Sequence, residues 1–378
     1  MTYGEQKANI DTMEDARSRD LSARNEPEHL KRVSRIKHVI LEKYLPPWAQ
    51  ILGSRYMHLA YVDCFAGPGQ YEYQGNPVEG SAVIAVKEAI KFARDRRNHN
   101  LLLYLIDDNR RQVERLQACL KDLQPFGKNL SVDVRCADSR AFIPDLIGTL
   151  NLRIPAFFLI DPYGHPLPLP TIRRILHRER TEVLINLMWF QINRDLNNPK
   201  VATRLNELFG GRNWQNQPFM RMHGSEREKA FLDYFKSQLG CSFVRAFKIR
   251  HDLEDSHGGD RTKYYLLHAS NHVRATLLMK EVMWGLGDEK GTFDFSGESQ
   301  SVLISETPPE QELQDFLLRE FKGKEMTFDE LRERTWNLPF IEKNYRSVLK
   351  AREGKDIKIL RVTSKQTGIK KLDRIRFS

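Results

Sequence analysis

Cysteine is scarce in this sequence and follows no ligand pattern. The 378 residues include four cysteines, Cys64, Cys119, Cys136 and Cys241, which are far apart and lack C-x-x-C spacing. Structural zinc and iron–sulfur sites need clustered Cys or His ligands. The spacing therefore argues against such metal centres. With so little cysteine, a reducing cytoplasm is the location that we expect.

Long apolar runs are also missing from the sequence. No segment approaches the roughly 20 apolar residues that a membrane-spanning helix needs, and the amino terminus is polar and charged, unlike a signal peptide. We therefore expect no contact with a membrane. A hydrophobic content of 40% with 29% charged residues is typical of a folded globular protein. A chain of this length is expected to form two domains.

The positive charge is concentrated near the carboxyl terminus. The whole chain has a net charge of +10, and residues 343–378 contain 12 Lys and Arg against 3 acidic residues, a net of +9. Charge that is gathered in one module indicates contact with a polyanion such as nucleic acid. The remaining chain is almost neutral overall.

One stretch organises the rest of the sequence: residues 61–71, Tyr-Val-Asp-Cys-Phe-Ala-Gly-Pro-Gly-Gln-Tyr. Its apolar run ends at Asp63 and breaks into a turn that contains Gly67 and Gly69. Because glycine has no Cβ, the backbone of such a turn can pass very close to another group. The pattern is typical of a strand followed by a ligand-binding turn.

Three further apolar runs end close to an acidic residue, at Asp107, Asp138 and Asp161. Because these apolar strands alternate with amphipathic helices, we predict an α/β fold with a mostly parallel sheet. Two later strands, residues 243–249 and 263–269, add at least one antiparallel member. Ligands bind such sheets at the carboxyl ends of the strands, where these acids are expected.

Several further predictions concern single residues or short segments. The first helix, which starts near Glu28, is expected to stop at Pro46-Pro47. Residues 72–80 are expected to form a loop, and His165 is expected to be a solvated loop residue. Trp189 and Phe190 are compatible with either a base-stacking wall or a core or lid position.

We predict three parts of the chain: a flexible amino-terminal segment (1–25), an α/β domain with a helical extension (26–300) and a winged-helix-like basic domain (308–378). The last contains three helices and a hairpin, and its third helix and wing are expected to meet nucleic acid. Winged helices also bind proteins, so that alternative stays open. The residues expected to bind nucleic acid are Lys343, Arg346, Lys350, Arg352, Lys365, Lys370 and Lys371.

Residues 63–69 (Asp-x-Phe-x-Gly-x-Gly) and 161–163 (Asp-Pro-Tyr) together resemble the Rossmann-like S-adenosylmethionine-dependent methyltransferases. The similarity is strongest to enzymes that act on amino groups of nucleic-acid bases, whose catalytic signature is Asp/Asn-Pro-Pro-Tyr/Phe. This chain departs from that signature because Tyr163 and Gly164 replace a second proline and an aromatic residue. The aromatic residue is therefore present one position earlier than in the signature.

A closer resemblance is to the three-Cys-motif partner proteins. It is carried by Lys37-His38, residues 61–69, residues 158–164 (Phe-Leu-Ile-Asp-Pro-Tyr-Gly) and residues 264–270 (Tyr-Tyr-Leu-Leu-His-Ala-Ser). The resemblance covers residues of about 30 to 285. It implies a methyltransferase-like fold and a neighbouring cysteine-motif protein as a possible partner.

The resemblance to methyltransferases implies specific roles at the strand ends. Asp63 would face the methionine ammonium of the cofactor directly or through water, and Asp107 would take the ribose hydroxyls, with Asp108 as the alternative. An oxygen of Asp138 would accept from the adenine amino group, with Ser139 beside it. The walls of the cofactor site would be Phe65, Gly67 and Gly69.

The acceptor amine would be held by Asp161 and the carbonyl of Pro162, while the ring of Tyr163 would stack on a flipped base. We therefore expect methyl transfer from S-adenosylmethionine to an amino nitrogen of a nucleic-acid base, with RNA slightly favoured over DNA. No metal is expected. The alternatives are a non-catalytic subunit that recruits nucleic acid or a cysteine-motif protein, and a nucleotide-dependent oxidoreductase. Each acid could also simply cap a turn or a helix.

Overall fold

A computed structural model describes residues 28–251, 261–287, 294–295, 309–363 and 368–378. The predicted flexible segment 1–25 and Lys365 lie outside the described residues. The large sheet consists of β1 (His58–Asp63), β4 (Asn100–Asp107), β5 (Leu130–Cys136), β6 (Ala156–Ile160), β7 (Thr181–Leu187), β8 (Phe243–Arg250), β9 (Thr262–Ser270) and β10 (Asp294–Phe295).

Helices cover both faces of this sheet. They are α1 (Arg32–Gly53), α2 (Ser81–Asp95), α3 (Arg110–Lys121), α4 (Ser139–Thr149), α5 (Leu169–Leu176), α6 (Trp189–Asp195), α7 (Ala202–Phe209), α8 (Gly224–Gln238) and α9 (Val273–Trp284). Short 3₁₀ helices at Pro199–Val201, Asn213–Asn216 and Pro218–Arg221 connect α6, α7 and α8.

The strand order is β10-β8-β9-β7-β6-β1-β4-β5. All neighbouring strands are parallel except that β9 runs antiparallel to both β7 and β8. Every residue of β6 and β7 is buried, because helices cover both faces of these central strands. The prediction of an α/β fold with a mostly parallel sheet and an antiparallel member is confirmed.

Helix α1 does not stop at Pro46-Pro47, so that prediction was wrong. The helix continues through both prolines to Gly53. Pro46 and Pro47 each lack a backbone N–H, so the helix interior loses two hydrogen-bond donors. However, Tyr44, Leu45 and Trp48, on either side of the two prolines, are buried in the core. This packing outweighs the local helix-breaking tendency.

Residues 72–80 are likewise not a simple loop. They form most of a hairpin in which β2 (Gln70–Tyr73) pairs antiparallel with β3 (Asn76–Glu79). Gln74 and Gly75 at its tip both have positive φ, as a tight two-residue hairpin turn requires. The hairpin carries Tyr71 directly back over the glycine turn that follows β1.

The carboxyl-terminal part is a winged helix with a hydrophobic core of its own. Its elements are α10 (Pro309–Glu320), β11 (Glu325–Thr327), α11 (Phe328–Arg334), α12 (Glu342–Arg352), β12 (Ile357–Leu360) and β13 (Arg374–Phe377). The three strands form a small antiparallel sheet of order β11-β13-β12. A capping box formed by Thr327 and Glu330 is present at the start of α11.

The winged helix contacts α9 and β8 of the large domain. The buried ammonium of Lys280 donates to the carbonyls of Trp336 and Leu338, both at 3.2 Å. Glu281 accepts from the Arg332 guanidinium at 3.2 Å and from the Glu342 amide at 2.8 Å. Burial of Lys280 lowers its pKa to about 7. The two parts are therefore joined by polar contacts that involve both backbone and charged groups.

Candidate active site

The acids predicted at the strand ends lie along one edge of the sheet. Asp63 ends β1 and is opposite Leu105 of β4 and Leu159 of β6. Asp107 and Asp161 each come two residues later on these flanking strands, so they lie on either side of Asp63 and slightly beyond it. Parallel pairing thus brings together residues that are far apart in the sequence.

Asp63 is completely buried. Its carboxylate accepts from the Phe65 amide at 3.3 Å, from the Tyr61 hydroxyl at 3.2 Å and from the Ser81 side chain. Burial raises the pKa of Asp63 to about 7, and the three donors limit that rise. The residue therefore both organises the turn after β1 and changes its charge near neutral pH.

The two glycines of the turn have left-handed backbones, with φ of 62° at Gly67 and 81° at Gly69. The groups that crowd them belong to the chain itself. A Cβ on Gly67 would lie 2.4 Å from the Tyr71 hydroxyl oxygen, and one on Gly69 would lie 2.8 Å from Leu116 of α3. Glycine is thus required here by the β2–β3 hairpin and by packing against α3.

Asp107 is half-buried at the end of β4 and is fixed by two backbone amides. It accepts from Gly67 N and from Asn109 N, both at 2.9 Å. The first bond ties the carboxylate to the glycine turn, and burial raises its pKa. Asp108 is exposed, so the structure distinguishes the two neighbouring acids.

Asp138 and Ser139 lie where α4 begins. Asp138 is exposed and caps α4 by accepting from the Arg140 amide at 2.8 Å. Ser139 is buried, and its hydroxyl donates to the Cys64 carbonyl at the end of β1. The serine therefore holds α4 against β1. Asp138 caps the helix through Oδ1, so its other carboxylate oxygen, Oδ2, takes no part in the cap.

Asp161 follows β6 and is held by two side chains that the sequence did not identify as site residues. The Lys37 ammonium of α1 lies 2.8 Å from Oδ1 and 2.6 Å from Oδ2, and Asn186 of β7 donates to Oδ1 at 2.7 Å. Both Lys37 and Asp161 are mostly buried. The sequence contained one indication of each residue. Lys37 belongs to a motif that carries the family resemblance, and Asn186 lies near the end of β7.

Pro162 is buried, whereas Tyr163 is 87% exposed. The Tyr163 hydroxyl donates to Glu28 at 3.1 Å. Tyr71 lies nearby, with its ring centroid 5.6 Å from that of the buried His38, whose pKa burial lowers to about 4. An exposed ring beside the Asp161 cluster is available for stacking on a planar partner.

His165 is not solvated, so that prediction was wrong. It is buried and makes a 2.9 Å contact with Asp195 of α6, and burial lowers its pKa. The prolines around it bring the loop into the core rather than out to solvent. Trp189 is also a core residue, with its ring centroid 4.9 Å from that of Phe231. Phe190 is only half-buried.

The predicted nucleic-acid residues fall into two groups. Lys343, Lys350, Lys370 and Lys371 are exposed. Arg346 forms an ion pair with Glu342 and covers the Phe328 ring at 4.9 Å, and Arg352 forms an ion pair with Asp356. The structure therefore leaves the lysines of α12 and the wing accessible and engages the two arginines within the protein.

Within the described ranges, no cluster of three or more His, Cys, Asp or Glu side chains could hold a metal ion. No helix in the same part of the chain is long and apolar enough to cross a membrane.

Comparison with known proteins agrees with this two-part organisation. Residues 287–364 match the family model of the GMT-like wHTH domain. The large sheet is mostly parallel and Rossmann-like, with antiparallel β9 between β7 and β8. No curated protein matches the sequence.

Among solved structures, a Legionella pneumophila protein of family DUF519 is 12% identical, with 62% of this chain and 84% of that chain covered and a TM-score of 0.37. The bifunctional kinase-methyltransferase WbdD is 15% identical (63% and 39% covered, TM-score 0.31). A putative O-methyltransferase from Klebsiella pneumoniae is 11% identical (63% and 90% covered, TM-score 0.28). Similarities this low carry no argument about activity.

Proposed function

We propose that the protein transfers a methyl group from S-adenosylmethionine to an amino nitrogen of a nucleic-acid base, with RNA slightly favoured over DNA. The observation that carries the proposal is the buried acidic edge in which Asp63, Asp107 and Asp161 lie side by side. It occurs in a chain that has a mostly parallel Rossmann-like sheet and a winged helix. Each element of the reaction then has a candidate residue.

The residues at this edge fit the cofactor. The carboxylate of Asp107 is already oriented by Gly67 N, and each of its oxygens has capacity for a further donor such as a ribose hydroxyl. Asp138 keeps an exposed oxygen for an amino group, and Asp63 would face the ammonium. Phe65, Gly67 and Gly69 would form the wall. The cofactor would supply an electrophilic methyl group.

The acceptor would be held at the end of β6. A carboxylate oxygen of Asp161 and the carbonyl of Pro162 would accept the two hydrogens of an exocyclic amine, which directs the nitrogen lone pair away from them. Asn186 and Lys37 would keep Asp161 correctly oriented. Tyr163, exposed beside this group, would stack on the base once it has left the helix stack.

A second candidate is a non-catalytic subunit that recruits nucleic acid or a cysteine-motif partner protein. One observation favours it: Lys37 contacts both oxygens of Asp161, so an acceptor amine can reach the carboxylate only if the ammonium shifts. In this alternative the Lys37–Asp161 pair is a structural contact between α1 and the sheet. Removal of the pair would then affect stability alone.

Transfer of a tritiated methyl group from S-adenosylmethionine to tRNA, rRNA and DNA tests the proposal. We expect wild-type protein to label at least one polymer and Asp161→Ala to lower the rate at least about a hundredfold, as is typical when a transition-state interaction is removed. Asp145→Ala, which changes an exposed acid of α4, is the matched control. Equal labelling by wild type and Asp161→Ala would remove Asp161 from catalysis, and no labelling by wild type would favour the non-catalytic subunit.

A further inference from the structure

A cavity of about 490 Å³ lies beside the acceptor end of the sheet. Its walls come from the amino-terminal ends of α6 and α8, from the carboxyl-terminal half of β8 and from the start of β9. Because β9 is antiparallel to β7, with Tyr265 opposite Leu187, the start of β9 and the end of β7 share the edge that carries Asp161. The cavity is therefore a lateral extension of the candidate active site.

The charge of this cavity is unlike that of the acidic edge. Lys248, Arg250 and Arg261 line it, and Glu228 is the one carboxylate among the described residues of the lining. Glu228 accepts from the hydroxyls of Thr262, at 2.7 Å, and Tyr265, and it lies 3.5 Å from the Lys248 ammonium. Arg250 forms a bidentate pair with Asp294. Lys248 is partly exposed and Arg261 is exposed, and the described residues of the lining together with Asp294 have a net charge of +1.

The remaining wall is aromatic and polar. Phe190 and Asn193 of α6 line the cavity, and the Phe190 ring contacts His251 edge-on at 4.8 Å. A basic surface next to an aromatic ring is the combination that binds a phosphate together with a planar or sugar group.

The spacing of the strands relates this cavity to Asp161. Strand β9 is two strands from β6, which at the usual separation is about 10 Å. Asn186 of β7 bridges part of that distance, because it donates to Asp161 while Trp189 and Phe190 follow only three and four residues later. A molecule with its amine at Asp161 can thus extend to Arg261 at the start of β9, whereas Lys248 lies on β8, one strand further, at about 14 Å.

We propose that this cavity binds the phosphate of the acceptor nucleotide, so that the acceptor is a nucleotide unit and not a free base or nucleoside. The inference rests on the proposed function, whose acceptor site is at Asp161. Lys248 and Arg261 supply the charge, and the Phe190 ring forms the apolar wall. The cavity sets which part of the acceptor is recognised, whereas Asp161 sets which atom reacts.

Calorimetry on the full-length protein with S-adenosylhomocysteine present tests this assignment. Each of the four ribonucleoside 5′-monophosphates is compared with its nucleoside. We expect at least one monophosphate to bind about tenfold more tightly than its nucleoside, as one charged hydrogen bond provides. Lys248→Met and Arg261→Met should each remove most of that difference. Lys248→Arg should retain it, and Lys229→Met, on the exposed side of α8, should not change it.

Equal affinity for monophosphate and nucleoside, or a difference that survives both methionine variants, would overturn the inference. Melting temperatures equal to wild type would show that the variants are folded. Methyl transfer to RNA gives a separate readout, in which the methionine variants should raise KM and leave kcat unchanged. If wild type transfers no methyl group but the phosphate preference depends on Lys248 and Arg261, the proposed function fails while the phosphate site stands. If wild type transfers a methyl group and KM is unchanged in both methionine variants, the phosphate site fails while the proposed function stands.

Discussion

The acidic edge of the large sheet and the basic surface of the winged helix treat their charges in opposite ways. At the edge, Asp107 and Asp138 accept from backbone amides, which fix a carboxylate without neutralising it. In the winged helix, Arg346, Arg352 and Arg361 each form an ion pair with a carboxylate of the same domain. Charge is thus kept available at Asp107 and Asp138, whereas the charge of these arginines is compensated within the winged helix.

This difference shows that a run of charge in the sequence overstates what a partner can contact. Residues 343–378 have a net charge of +9, but acids of earlier elements fold back onto them. Glu325 of β11 contacts both Arg374 and Arg376 of β13, and Glu342 lies directly before the counted segment. The exposed lysines are the part of the charge that is left for nucleic acid.

The largest effect on stability should come from Lys37→Met. It would leave the mostly buried Asp161 without its cation, and breaking such a pair costs about 3 kcal/mol or more in the free energy of unfolding. Urea denaturation would measure the decrease. Lys43→Met on the exposed side of α1 should have little effect. If Lys37→Met lowered the free energy of unfolding as little as Lys43→Met does, the result would contradict a buried, functional Lys37–Asp161 pair.

The next effect concerns the bond between Asp107 and the glycine turn. Asp107→Ala should weaken binding of S-adenosylhomocysteine by about tenfold to a hundredfold, because the variant lacks the carboxylate that would accept hydrogen bonds from the ribose hydroxyls. Asp108→Ala is the neighbouring control and should bind as wild type does. Calorimetric titration separates the two variants. A greater weakening in Asp108→Ala would transfer the ribose role to that residue.

A pH dependence follows from Asp63. Burial raises its pKa to about 7, so below that pH the group is neutral and cannot pair with a ligand ammonium. Affinity for S-adenosylhomocysteine should therefore rise with pH by up to about tenfold per unit until Asp63 is ionised. Without ligand the sign is reversed: between the ordinary pKa of 3.8 and about 7 the unfolded chain has lost this proton while the folded protein keeps it, so stability falls as pH rises and levels off above about 7. Asp63→Asn should flatten the binding profile, and an equally steep profile in this variant would assign the titration to another group.

The smallest effect should distinguish the two groups of bases in the winged helix. Lys350→Ala and Lys370→Ala, which change exposed residues, should each weaken nucleic-acid binding a few-fold and reduce the slope of log affinity against log salt by about 0.9 for each phosphate that is no longer neutralised. Arg352→Ala, which changes a residue paired with Asp356, should change the slope less. Fluorescence anisotropy at several salt concentrations measures the slopes. Identical slopes in all three variants would contradict the division.

Much of the large domain could be predicted because each signal is local. The apolar runs of β6 and β7 and the acids that follow β1, β4, β5 and β6 are visible within a few residues. Parallel pairing then makes it necessary that these acids share an edge. The antiparallel direction of β9 also agrees with the predicted antiparallel member of the sheet. The same local logic found the three helices and the hairpin of the winged helix.

The contacts that complete the site could not be predicted in this way. Lys37 reaches Asp161 across 124 residues of sequence, and Asn186 reaches it from the next strand. Burial also overrode two local rules: the core around Tyr44 and Trp48 carries α1 through Pro46-Pro47, and His165 pairs with Asp195 inside the core. Tertiary packing, which no short pattern contains, decided each of these cases.

Calorimetric titration of the wild-type protein with S-adenosylhomocysteine and, separately, with NAD tests the central claim most directly. The acidic edge with Asp63, Asp107 and Asp138 should bind S-adenosylhomocysteine at micromolar concentration and give no heat with NAD. Binding of NAD without binding of S-adenosylhomocysteine would contradict the account and favour a nucleotide-dependent oxidoreductase.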